Sequence, residues 1–293
     1  MTLWSRWVER VHRPVDSTPF ALLRIAAAGA VLFDLLRVAQ LGLVREIFVQ
    51  GQHGGFGAES DSAYVLDRLG PEGGLWAYGV TLTCMLLTAL GVATRPAIVV
   101  GVLAYAQLGH LFPPSDRAVD RIVRCALLLL LFTRAHKRLS LSNWLRGKAD
   151  ELTTPGWADD LLRWFLVLVY MSAGIAKLMQ QPNWLGASGN AVLYRVMSDP
   201  LAGKLDPETW YGAMPLFFPG GWVTIALELS ALLLFTRVAP WWALVGATMH
   251  LGIFLTMELG MFSWGMLAFY PVLLWPLLDP FWKRLVTWWR SRA

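Results

Sequence analysis

Charge is what this sequence has least of. Asp, Glu, Lys and Arg make up 15% of its 293 residues, against about one quarter in soluble domains. With 56% hydrophobic residues and a mean hydropathy of +0.49, a soluble globular chain is excluded and an integral membrane protein is expected. Cysteine is almost missing. Cys84 and Cys125 both lie in apolar stretches and share no CxxC spacing, so neither a structural disulfide nor a metal site is expected. P-loop, GxGxxG, HExxH and GxSxG patterns do not occur, which removes the chemistries those motifs serve. The glycine-rich GQHGGFG at 51–57 has no strand before it and reads as a loop. No repeat or low-complexity linker divides the sequence, so a single domain over 1–293 is expected. A short apolar run with a small-residue cleavage site does not open it, so no removable signal peptide is expected.

What is present is a series of apolar stretches near bilayer length. They predict an all-α, polytopic helical bundle of about eight transmembrane helices, at roughly 18–40, 75–92, 96–112, 118–133, 158–180, 221–236, 240–257 and 262–278. Pro96 and Pro240 fall at helix starts, where proline is tolerated. Residues 1–17 read as a basic, Trp-bearing amphipathic lead-in that lies on the membrane, and 279–293 as a basic tail. Most of the sixteen tryptophans flank the apolar segments, as interfacial anchors do.

The formal charge of +5 does not imply nucleic acid, because the cations concentrate in alternate loops. Arg6, Arg10 and Arg13 precede the first helix. Arg134, Lys137, Arg138, Arg146 and Lys148 follow the fourth, and Lys283, Arg284, Arg290 and Arg292 close the chain. The opposite loop, 41–74, holds Glu46, Glu59, Asp61, Asp67 and Glu72. The positive-inside bias places both termini in the cytoplasm, in a multi-pass protein of the cytoplasmic (inner) membrane.

One stretch stands apart. LLRWFLVLVYMSAGIAKLMQQPNWLG (161–186) opens as an apolar helix and carries one lysine, Lys177, beyond the small residues Ser172, Ala173, Gly174 and Ala176. A charge inside a membrane segment costs about 2.5 kcal/mol or more, so it faces a partner or a polar cavity. Small residues let a neighbouring helix approach closely. Two structural readings compete with a functional one: Lys177 snorkels to the interface, or it pairs with a buried carboxylate. With the expected orientation, Asp34, Arg37, Asp120, Arg121, Arg124, Lys177, Glu228, His250 and Glu258 fall in the outer half of the bilayer or near it. That convergence suggests a polar pocket opening to the outer leaflet. Asp34 with Arg37 and Asp120 with Arg124 also stand at helical-neighbour spacing, as self-satisfied ion pairs would.

Four segments together resemble a known family. YMSAGIAKLMQQPNWLG (170–186) is similar to the Y-x-x-A-G-x-x-K-L…W-x-x-G segment of the HTTM family, whose membrane domain is shared with vitamin K-dependent gamma-glutamyl carboxylase. VDRIVRCALLLLLF (119–132) with RLSL (138–141), ALELSALLLF (226–235) and MHLGIFLTMELGMFSWGMLAFYPVLL (249–274) resemble further family segments in the same order. The resemblance implies a carboxylase-like membrane enzyme with Lys177 as the base that deprotonates a quinol. His250 and Glu228 would be polar partners, and Tyr170 and Trp184 further lining residues of the site. A lysine acts as a base only in its neutral form, which burial in an apolar site favours. No cofactor is certain; the candidate is a reduced quinone-type lipid. A membrane lipid, isoprenoid or quinol is the expected substrate. Asp120 as a general acid on a polyprenyl chain is a second enzymatic route, and a non-catalytic membrane component in the maturation or export of a secreted peptide is the reading from another class.

Overall fold

The computed structural model describes residues 2–57, 69–180, 184 and 191–291. Glu59, Asp61, Asp67 and Gly186, which enter the sequence reading, lie outside the described residues. The described chain is mostly helical, and it divides into two compact units. Unit 1 is Met1–Asp159 with Trp264–Phe269; unit 2 is Asp160–Ser263 with Tyr270–Ala293.

Unit 1 begins with α1 (Leu3–His12), whose N-cap Thr2 accepts from the Ser5 amide at 3.2 Å. Trp4 and Trp7 stack at 5.1 Å on its exposed side. A short strand β1 (Pro14–Asp16) then pairs antiparallel with β2 (Thr153–Pro155), an element the apolar pattern does not reveal. Next comes α2 (Thr18–Gln40), matching the expected first span. It buries Leu23, Ala27, Val31 and Leu35 at helical spacing. The hairpin of α3 (Gly73–Leu90) and α4 (Thr94–Leu111) packs closely because Gly101 has no side chain. A Cβ there would stand 2.7 Å from the Cys84 Cβ and from the Met85 Cε. Gly91 ends α3 in the left-handed region at φ 75°, its amide bonding back to the last helical turn, a position glycine fills without strain. Helix α5 (Ala118–Leu130) completes the unit's long elements. Cys84 and Cys125 are both free thiols.

Arg24, in the middle of α2, is fully buried and lies among backbone oxygens. Its guanidinium donates to the carbonyls of Ala135, Arg138 at 3.1 Å and Leu139 at 2.7 Å. A buried cation is tolerated only with such partners. Arg24 thereby clamps the turn after α5 against α2.

Unit 2 is built on α6 (Gly156–Met179), α7 (Pro207–Leu229), α8 (Ala239–Thr256) and α9 (Trp275–Arg290). Helix α7 starts well before the expected 221, because Asp206 caps it and accepts from the Thr209 amide at 2.9 Å, with Pro207 at its first position. It stops at Leu229, and Ala231–Phe235 continues as a 3₁₀ turn. The carbonyls freed there find side chains: Trp242 Nε1 donates to Leu227 O at 3.2 Å, and Arg163 donates to Leu234 O at 2.9 Å. The expected eighth span, 262–278, is broken into Phe262–Leu267, Tyr270–Leu273 and α9. Helix α9 in turn carries the expected basic tail to Arg290 as helix. Among the described residues, α2, α3 and α6 are long and apolar enough to cross a membrane.

Candidate functional site

Tyr170, Gly174 and Lys177 follow one another at i, i+4 and i+7 on α6, so they share one face. That face meets α7 at Gly174. A Cβ on Gly174 would stand 3.0 Å from the Leu229 Cδ2 and 3.1 Å from the Glu228 Cβ. The close approach puts Glu228 opposite Lys177. Lys177 Nζ donates to Glu228 Oε1 at 2.7 Å and Oε2 at 2.9 Å. The side chains are 18% and 8% exposed, so the pair is largely withdrawn from its surroundings. Trp184 covers the ammonium, with Nζ 4.9 Å from the ring centroid, a distance at which the ring stabilises a cation.

One turn and more below, the same face of α6 feeds a second arrangement. Tyr170 Oη lies 2.9 Å from His250 Nε2 and 2.8 Å from Tyr270 Oη. All three residues are buried. Trp242 meets the Tyr170 ring edge-on at 5.1 Å, and Phe262 lies 5.5 Å from the imidazole. Gly246, one turn before His250 on α8, makes room for Tyr270: a Cβ there would stand 2.4 Å from its hydroxyl. His250 Nδ1 has no hydrogen-bond partner among the described residues. The arrangement is a hydrogen-bonded chain with the Tyr170 phenol in the middle, the His250 imidazole on one side and the Tyr270 phenol on the other. Glu258 is engaged elsewhere in the unit, with Lys204 at 3.2 Å.

The carboxylates and arginines of unit 1 form their own cluster. Arg117 joins Asp34, at 2.6 Å, to Asp120, which its Nε reaches at 2.9 Å. The Arg117 amide also donates to Asp120 at 2.8 Å and the Tyr105 hydroxyl donates to it, so the 1% exposed Asp120 is fully engaged as an acceptor. Asp116 receives Arg121 at 2.9 Å and Arg124 at 2.7 Å. The expected Asp120–Arg124 pair is therefore replaced: Asp120 turns back to accept from the amide and guanidinium of the N-cap residue Arg117, and Arg124 reaches back to Asp116. Arg37 lies on α2, one turn after Asp34.

Sequence reasoning missed Arg117, Asp116, Tyr105 and Tyr270. The first two sit in the turn PSDR before α5, whose N-cap is Arg117 and not the Ser, Thr, Asp or Asn that marks a helix start in a sequence. The two tyrosines carry no signal, because an isolated aromatic in an apolar run looks like packing.

The HTTM domain model matches residues 12–276, most of the 293-residue chain. The chain belongs to the HTTM domain family, a transmembrane domain family related to the carboxylase. No solved structure matches it.

Proposed function

We propose that this HTTM protein is a carboxylase-like acid–base enzyme of the membrane, acting on a hydroxyl of a lipidic quinol or isoprenoid, with the Lys177–Glu228 pair as its base. The observation that carries the reading is that pair itself: the lysine expected to act as base is held to one carboxylate under an aromatic ring. Lys177 passes its proton to Glu228 within the pair, and the neutral amine so formed takes up the substrate's proton, so the pair goes from net zero to one positive charge. That charge balances the negative charge left on the substrate oxygen, and Trp184 stabilises it. Tyr170, His250 and Tyr270 supply a hydrogen-bonded route for proton exchange in the same unit, and His250 Nδ1 has hydrogen-bonding capacity to spare for a substrate oxygen. A reduced quinone-type lipid fits as the substrate, because an aromatic-lined amine at the end of an apolar helix suits a flat, weakly acidic ring on an apolar tail. Asp120 is the weaker candidate acid, since both its oxygens already accept from Arg117 and Tyr105.

The charge bias of the loops supports eight spans with both termini cytoplasmic, in a multi-pass protein of the inner membrane. A second reading is favoured by the two short Lys177–Glu228 contacts: the pair is only a counter-ion lock, and the chain is a non-catalytic component in the maturation of a secreted peptide. Turnover separates the two. Purified protein in lipid nanodiscs is supplied with a reduced quinone or a polyprenyl lipid, and the lipid is followed by mass spectrometry. A protein-dependent chemical change supports the enzyme; an unchanged lipid under every condition leaves the lock.

A further inference from the structure

A cavity of about 530 Å³ opens in unit 1 at the turn joining α3 to α4. Its walls are that turn, 91–96, and part of the segment 136–151. Four cations line it, Arg95, Lys137, Arg146 and Lys148, against one carboxylate among the described lining residues, Glu151. Glu151 is already taken: Lys137 bonds it, and Arg134 pairs with it at 2.8 Å. Arg95, Arg146 and Lys148 have no carboxylate partner among the described residues. The wall therefore carries an excess of about three positive charges.

Two features say what kind of anion this suits. The wall includes the first turn of α4, an 18-residue helix whose N-cap, Ala93, offers no capping side chain. Amides at such a helix start are without intrahelical partners and carry partial positive charge. The amides of Thr94 and Arg95 at that helix start and the guanidinium groups of Arg95 and Arg146 together are a donor set that receives phosphate.

The cavity is held in shape. Ser140 Oγ donates to Gly91 O at 2.8 Å, and a Cβ on Gly91 would stand 2.8 Å from the Ser140 Cα. Arg24 clamps the carbonyls of 135–139 from beneath. Its surroundings fit the membrane edge. Helix α3, a candidate span, ends beside it at Leu90, and the neighbouring Trp144 and Leu145 are 75% and 67% exposed, as interfacial anchors are.

We propose that this cavity is a phosphate-binding site, filled by the phosphate of an anionic lipid headgroup or of a soluble phosphate ester. The two sources are told apart in nanodiscs. Native mass spectrometry counts phosphatidylglycerol retained by the full-length protein against phosphatidylcholine. The variant Arg95→Gln/Arg146→Gln/Lys148→Gln spares the Lys137–Glu151 and Ser140–Gly91 bonds, and Lys283→Gln/Arg284→Gln on α9 is the control. The expected result is retention of phosphatidylglycerol that falls on the order of a hundredfold in the triple variant and stays unchanged in the control. If instead glycerol 3-phosphate raises the melting temperature in purely phosphatidylcholine discs, and the triple variant loses that shift, the soluble ester is the ligand. If the triple variant does not fold, Arg146→Gln alone is read the same way, with about a fivefold fall expected. Equal losses in variant and control, or neither retention nor a shift in the wild type, overturn the proposal.

Discussion

Lys177 and Glu228 face each other across two helices brought together at Gly174, and the ammonium donates to both carboxylate oxygens, at 2.7 and 2.9 Å. Neither group tolerates the apolar interior alone. Truncating one member of a buried pair costs about 3–5 kcal/mol, because the other charge is stranded, whereas replacing both by apolar residues is often neutral. Glu228→Ala is therefore expected to lower the melting temperature in detergent sharply. Glu228→Leu combined with Lys177→Met is expected to recover most of that loss. A double variant as unstable as the single one would show that the pair is not the source of the cost.

Gly246 leaves space for Tyr270. A Cβ at 2.4 Å from the Tyr270 hydroxyl cannot be accommodated without moving a residue that is bonded to Tyr170. Gly246→Ala is expected to destabilise by about 1–3 kcal/mol. Tyr270→Phe in the same chain removes the clashing oxygen and is expected to restore part of it. Chemical denaturation of the two single variants and the double variant measures the coupling; additive losses would contradict the contact.

Arg117 serves two carboxylates with one rigid fork: Nη2 donates to Asp34 at 2.6 Å and to Asp120 at 3.1 Å, and Nε donates to Asp120 at 2.9 Å. A lysine presents one ammonium and cannot match that geometry. Arg117→Lys is thus expected to lose about 2 kcal/mol or more of stability despite keeping the charge. A lysine variant with the wild-type melting temperature would mean that charge alone is needed.

The long apolar helices were legible in the sequence because their period and length are set by the chain itself. α2, α3, α4, α6 and α8 begin and end within about two residues of the apolar runs. Where capping chemistry decided the boundary, apolarity misled: Asp206 starts α7 early, and the last expected span breaks into three pieces. Site residues split the same way. Lys177 and Glu228 were visible because a charge in an apolar run needs a partner. Their pairing was one of the alternatives the spacing left open. Arg117 and Tyr270 were not visible, since their roles depend on which helices become neighbours, and no local pattern records that.

His136 offers a test by pH outside the membrane segments. Burial first, and then the charges of Arg95 and Lys137, push its imidazole below the usual histidine range, against the opposing pull of Glu151. In the unfolded chain it titrates near 6.5, so the unfolded state takes a proton there that the folded state refuses. Its contribution to stability is complete above about pH 6.5 and declines as the pH falls below that value. Melting temperatures are expected to drop between pH 7 and 5, and His136→Gln is expected to flatten that slope. An unchanged slope in the variant would assign the acid sensitivity to other groups.

The most direct measurement of the central claim compares Lys177→Arg with the wild type in two assays, lipid turnover in nanodiscs and melting temperature in detergent. Arginine keeps the charge and can still meet both oxygens of Glu228, but its guanidinium does not give up a proton at working pH. A base at this position predicts a folded protein, with a melting temperature near that of the wild type, whose turnover is abolished. An arginine variant that is both stable and active would contradict the account and leave Lys177 as the counter-ion of Glu228.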